Sequence, residues 1–218
     1  MHRDSVQAAN WWAQPRGAQA ASWVQGYQRS IAAPHRTQLA SIVLGFQPET
    51  VLEVGCHCGP NLVRLTRASE TLQAIGIDAS EDAIQAGRRW IDAEGVSSRV
   101  QLNVGRFPSA TAGVANGAFD VVMTCYALAY VAPADMDAAL YEIGRLATKA
   151  VVLAEPMPGD GQRPDRCELS GYCEYAHDYA GAAPWISSLS RLSDRSVVPV
   201  MPRVDRLNGI LVASCPLS

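Results

Sequence analysis

The sequence predicts an α/β protein: a doubly wound, mostly parallel seven-stranded sheet with an antiparallel last strand and N-terminal helices ahead of it. Two observations carry this prediction. Short runs rich in Val, Ile and Leu alternate with segments of helical pattern, as in sheets whose strands are buried on both faces. The last two such runs, by contrast, are joined by a short connection, which forces an antiparallel pair.

The strands come first. "TVLEVG" (50–55), "LQAIGID" (72–78), "RVQLNVG" (99–105), "FDVVMTC" (119–125) and "AVVLAEP" (150–156) read as parallel strands. "RSVVPVMP" and "NGILVAS" close the sheet, with Pro199 suited to an edge or a bulge because it offers no N–H to a ladder. Helices are predicted over 61–69, 81–93 and 134–148. Ser80 is placed as the N-cap of the second, Glu81 and Asp82 face its dipole, and Gly95 lies just past its end. In the third, Met136, Leu140, Ile143 and Ala147 recur on one face and are expected to pack on the sheet.

After Pro156 the pattern changes to "MPGDGQRPDRCELSGYCEYAHDYAG", rich in Gly, Pro and acids and read as a long functional excursion, with a helix expected around 183–192. Residues 1–46 form an N-terminal helical segment with an aromatic group, Trp11, Trp12, Trp23 and Tyr27; residues 47–218 form the main unit of a single domain. The N-terminal segment has two readings, a lid over a site or a helix pair packed on the sheet.

Composition sets bounds. The 218 residues suffice for one sizeable core, and 48% hydrophobic with 18% charged residues is an ordinary globular balance. A net charge of -3 without a Lys/Arg run argues against nucleic acid as a partner. The sequence shows neither a signal-peptide pattern at "MHRDSVQAANWWAQPRG" nor an apolar run long enough to span a bilayer, so a cytoplasmic protein without a membrane partner is expected. Cysteines at 56, 58, 125, 167, 173 and 215 are read as free thiols.

The chemistry concentrates after the first strand, in "VLEVGCHCGPNLVRL". Gly55 and Gly59 permit a sharp turn and close ligand approach, and Pro60 or Asn61 opens a helix whose free N–H groups favour an anion. Asp78 ends the second strand, where an acid can accept hydrogen bonds from both hydroxyls of a ribose.

These segments resemble the class I S-adenosylmethionine-dependent methyltransferases: "VLEVGCHCGPNL" is similar to their first motif, "IGIDAS" to the end of their second strand, "FDVVMTCYALAYV" and "VVLAEP" to their fourth and fifth strands. The resemblance implies S-adenosylmethionine as cofactor. It further implies that Glu53, Gly55, Cys56, His57, Gly59 and Asn61 surround the methionine part, Asp78 and Ala79 the ribose, and Arg106 and Phe107 the adenine, with Cys125 and Tyr126 closing the pocket. Two positions depart from the family pattern. His57 stands in place of its middle glycine, and Arg106 where an acid often contacts the adenine.

His177 in "EYAHDYAG" is the candidate general base, with Asp178, Glu174 or Glu155 to orient it. Trp12, Tyr130 and Glu155 are candidate acceptor contacts, although the tryptophans equally serve as apolar anchors. His35 and Arg36 could reach the cofactor carboxylate, but an exposed basic pair is the simpler account. No metal is expected at Cys56, His57 and Cys58, since adjacent residues do not converge on one ion, and Cys167, Cys173, His177 and Asp178 have spacing longer than a zinc knuckle. The function expected is methylation, at O or N, of a small-molecule or natural-product acceptor, in a protein for which a homodimer is one assembly option. Alternatives are a non-catalytic cofactor-binding sensor or partner subunit with this fold, and an NAD-dependent oxidoreductase.

Overall fold

A computed structural model describes residues 5–157, 167–169, 172–174, 194–204 and 207–214. The predicted alternation is present. In chain order the elements are α1 (Ser5–Trp12), α2 (Ala20–Arg29), α3 (Pro34–Gly45), β1 (Thr50–Val54), α4 (Pro60–Ala68), β2 (Gln73–Asp78), α5 (Glu81–Ala93), β3 (Val100–Val104), β4 (Phe119–Cys125), α6 (Pro133–Leu146), β5 (Ala147–Pro156), β6 (Cys167–Leu169), β7 (Tyr172–Glu174), β8 (Asp194–Val204) and β9 (Leu207–Ser214).

Strands order as β3-β2-β1-β4-β5-β9-β8 in one seven-stranded sheet. The first five pair in parallel, while β9 runs antiparallel to both β5 and β8. Pro199 sits on the edge strand β8 where its register with β9 shifts, a place where a missing N–H costs no ladder bond. Strand order reverses between β1 and β4, which opens a crevice at their carboxyl ends.

Alternate residues of each strand feed two cores, one on each face of the sheet. Val51, Val121, Met123 and Val152 meet Leu39 and Val43 of α3, Leu62 and Leu65 of α4, and Ile84 and Ile91 of α5. Leu52, Val122, Val151 and Leu153 meet Met136, Leu140 and Ile143 of α6. Three layers result, with the functional crevice along one edge of the middle layer.

Three sequence expectations change. The periodicity assigned to the third predicted helix runs one step too far: Ala147 already has extended backbone (φ -90, ψ 143) and begins β5, because α6 passes into the strand with no loop between. Within the excursion after Pro156, β6 and β7 pair as a short antiparallel hairpin. The N-terminal segment divides between its two readings, since α3 contributes Leu39 and Val43 to the core whereas α1 and α2 roof the crevice. The helix expected around 183–192 lies outside the described residues. Ser80 caps α5 as predicted, its Oγ accepting the N–H of Ala83 at 3.3 Å, and Gly95 follows with φ +70.

Candidate active site

A cavity of about 1050 Å³ opens at the carboxyl ends of β1, β2 and β4. Its floor is the turn after β1 and the end of β2, with Gly55, His57, Asp78 and Ala79. Arg106 and Phe107 stand at one side, Cys125, Tyr126 and Tyr130 at the other, and Trp12, Trp23 and Tyr27 above.

The turn after β1 needs its glycine. Gly55 has φ +74, and a Cβ there would come within 2.4 Å of the Ala127 Cβ. That close approach lets the loop after β4 lie against the loop after β1. His57 shares the left-handed conformation (φ 51), as does Tyr126 (φ 59) across the cavity. Non-glycine residues hold such backbone only where surroundings enforce it.

Asp78 is the hinge of the floor. Its Oδ2 accepts the His57 N–H and its Oδ1 the Ser80 N–H, both at 2.8 Å. Burial raises its carboxyl, and the two N–H groups oppose that by stabilising the anion.

Beneath the floor lies a polar chain. Glu53 Oε1 accepts from Asn61 Nδ2 at 2.6 Å, and Asn61 Oδ1 accepts from Arg36 Nη1 at 2.7 Å. Arg36 Nε also donates to Ser30 Oγ at 3.0 Å. Burial pushes the Glu53 carboxyl up to about 8, with the Asn61 bond and the Arg36 charge opposing. Its Oε2 has no partner. Arg36 and His35 are only 7% and 9% exposed and both line the cavity, which overturns the account of them as an exposed basic pair. Packing of α3 on the sheet carries them inward, a tertiary effect with no local sequence signal. Burial holds His35 down at about 4, so it is neutral near pH 7.

The roof is aromatic. The His57 ring stacks on Tyr27 with centroids 3.8 Å apart and meets Trp23 edge-on at 4.3 Å. Trp23 stacks on Trp12 at 5.9 Å, and Trp12 meets Tyr130 edge-on at 5.1 Å. Arg16 lies over Trp11 at 3.9 Å and Trp23 at 4.8 Å, while its backbone N–H donates to Asp82 Oδ2 at 2.7 Å. Ser5 Oγ donates to Asp135 and accepts from the Ala132 N–H, fixing the other end of the roof.

Of the residues expected around a ligand, Gly55, His57, Asp78, Ala79, Arg106, Phe107, Cys125, Tyr126, Trp12 and Tyr130 meet in the cavity wall. Glu53, Cys56, Gly59 and Asn61 lie behind it, shaping and charging the loop from beneath. Glu155 is absent from the wall. Fully buried, it turns its carboxylate to the N–H groups of Ala127 (2.9 Å) and Ala129 (3.2 Å) and so holds the turn after β4 in place. Its placement as an acceptor contact is therefore corrected to a positioning role. His177 and Asp178 lie outside the described residues, while Cys167 and Cys173 are described only as backbone of β6 and β7. Burial pushes the Cys58 thiol up to about 12 and Cys125 to about 11, leaving both protonated near neutral pH. Tyr27 and Trp23, grouped in the sequence with the N-terminal aromatic segment and not among the candidate site residues, both enter the wall, four residues apart on one helix.

A doubly wound sheet with a crevice at its switch point and an acid closing β2 is an arrangement in which α/β proteins hold their ligands. Comparison narrows this: residues 51–149 match the family model of the methyltransferase domain. That stretch, a little under half of the chain, is thus similar to a methyltransferase domain, in keeping with the S-adenosylmethionine-dependent class that the sequence resembles. Among curated proteins nothing matches. Many solved structures share the fold. One is an O-methyltransferase family protein from Burkholderia thailandensis, with 16% identity, 97% of this chain and 63% of that one covered, and a TM-score of 0.68. Magnesium protoporphyrin IX methyltransferase from Synechocystis, solved with bound S-adenosylmethionine, has 15% identity, 99% and 98% covered, and a TM-score of 0.67. The chain thus spans less than two thirds of the first protein's length and nearly all of the second's.

Proposed function

We propose that the protein transfers a methyl group from S-adenosylmethionine to the oxygen or nitrogen of a small-molecule acceptor with an apolar, aromatic body. The observation that carries this is the cavity of about 1050 Å³. Pockets for drug-sized ligands run to roughly 300–1000 Å³, so this one has room for cofactor and a modest acceptor together.

The residues present fit the cofactor. Gly55 leaves a cradle that a Cβ would fill, Asp78 offers a carboxylate at the end of β2, and polar atoms of Glu53 and His57 are buried without partners. When bound, the cofactor supplies a methyl group activated by its sulfonium for in-line displacement. The chain's part is to hold the reacting groups in line and keep water out. In this reading Asp78 accepts from the ribose hydroxyls, Arg36 faces the amino-acid carboxylate, and Phe107 with Arg106 flanks the adenine. Trp12, Tyr126 and Tyr130 form the acceptor half, where stacking suits a planar ring. His177 is proposed as the base for an acceptor that must lose a proton. Among the described residues no helix is long and apolar enough to cross a membrane. A cytoplasmic location and a homodimeric assembly are part of the proposal.

The test is incubation with isotopically labelled S-adenosylmethionine and a panel of phenols, aryl carboxylates and aryl amines, followed by mass spectrometry of products. Label in an aromatic acceptor supports the proposal. A second reading, a cofactor-binding sensor, draws on the His57 and Arg106 departures; calorimetric binding of the cofactor with no labelled product across the panel would favour it.

A further inference from the structure

His57 stands where the resemblance places a glycine, and three observations about it point one way. Its backbone is left-handed (φ 51), a strained conformation for a non-glycine residue. Its ring is 5% exposed, and both ring nitrogens are buried without a hydrogen-bond partner. Buried polar atoms are nearly always paired, so such an orphan calls for a partner that arrives later. Finally, the residue lines the cavity, among the floor residues and beside Arg36 of α3.

The ring's attitude is fixed rather than free. Tyr27 covers one face and Trp23 abuts it edge-on, while the residue's own N–H is held by Asp78. Packing alone would be served by a phenylalanine, which carries no orphaned nitrogens. Burial first, and then the cations Arg36 and Arg16, disfavour protonation of the imidazole. A neutral imidazole keeps one N–H to donate, and the surrounding charge favours an anion as its acceptor.

We infer that the His57 imidazole donates a hydrogen bond to the carboxylate at the methionine end of the cofactor, as a neutral donor working beside the Arg36 guanidinium. This rests on the cofactor reading given above. The substitution for glycine is then a specificity element: it makes recognition of the cofactor depend on its amino-acid carboxylate more than bare loop backbone would.

Two nucleoside probes separate this role from packing. S-adenosylhomocysteine carries the carboxylate, and S-adenosylthiopropylamine lacks only that group. Calorimetric titration of wild type is expected to favour the first by tenfold or more. His57→Phe preserves the stack on Tyr27 but removes the donor; it should lose about tenfold for S-adenosylhomocysteine, the worth of a charge-assisted hydrogen bond, with affinity for the decarboxylated probe unchanged. His57→Asn, whose side chain tolerates left-handed backbone and retains a donor, should recover part of the loss. His57→Gly removes the backbone strain, so its melting temperature checks that any loss of affinity is not a loss of fold. Equal loss for both probes in His57→Phe, or undiminished binding of S-adenosylhomocysteine, would overturn the inference while leaving the cofactor reading intact. Failure of wild type to bind either probe would remove both.

Discussion

The Asp78 Oδ2 accepts the backbone N–H of His57 at 2.8 Å, tying the end of β2 to the middle of the turn after β1. The other carboxylate oxygen takes the Ser80 N–H at the start of α5, so one side chain fixes two loops of the cavity floor. Asp78→Ala strands both donors. Stability should fall by about 1–3 kcal/mol, since buried amides lose charged acceptors. Differential scanning calorimetry of the unliganded protein checks this, at roughly 2–4 °C per kcal/mol for a chain of this size.

Gly55→Ala introduces a Cβ within 2.4 Å of the Ala127 Cβ at a residue with φ +74. Overpacking of this kind costs about 1–3 kcal/mol. Ala127→Gly in the same chain should recover the steric part but not the conformational part. Chemical denaturation of the single and double variants reads the coupling, and additive losses would contradict the contact.

Glu53 provides a pH signature. Burial raises its folded value from 4.5 to about 8, so the unfolded chain ionises first. Its contribution to stability is whole below the unfolded value and is lost as pH rises through the folded one. Glu155, raised by burial to about 7, adds a slope of the same sign. The buried histidines oppose this at lower pH: His35, held at about 4, and His57, held at about 3, make folding more favourable as pH rises towards their unfolded value of 6.5. The net fall in the melting temperature of the unliganded protein is therefore expected between about pH 6.5 and pH 8. Glu53→Gln keeps an acceptor for Asn61 and removes the ionisation, so it should flatten that slope; an unchanged slope would show that Glu53 does not titrate there.

Arg16 holds the roof through Trp11 and Trp23 and through Asp82. Arg16→Ala removes stacking worth about 0.5–2 kcal/mol. Limited proteolysis should then cut within 5–19 faster, with little change in the melting of the sheet core.

The sheet was legible because strands buried on both faces write themselves as unbroken Val, Ile and Leu runs, and the place of Asp78 because it closes such a run; that its carboxylate ties two loops together was not. Arg36 was not, since only the docking of α3 on the sheet turns a basic side chain inward. Nor was the orientation of Glu155: the sequence places an acid at the end of β5, but whether it faces ligand or backbone depends on the turn after β4, which it caps. Ala147 misled because helical spacing continued across a junction that has no loop.

Titration of the purified protein with S-adenosylhomocysteine is the most direct test of a nucleoside held between the turn after β1 and Asp78. Micromolar binding is predicted in wild type, with Asp78→Ala weakened by about 1–3 kcal/mol, or roughly five- to 150-fold. No measurable heat in wild type, or affinity unaltered by the substitution, would contradict the placement of the site.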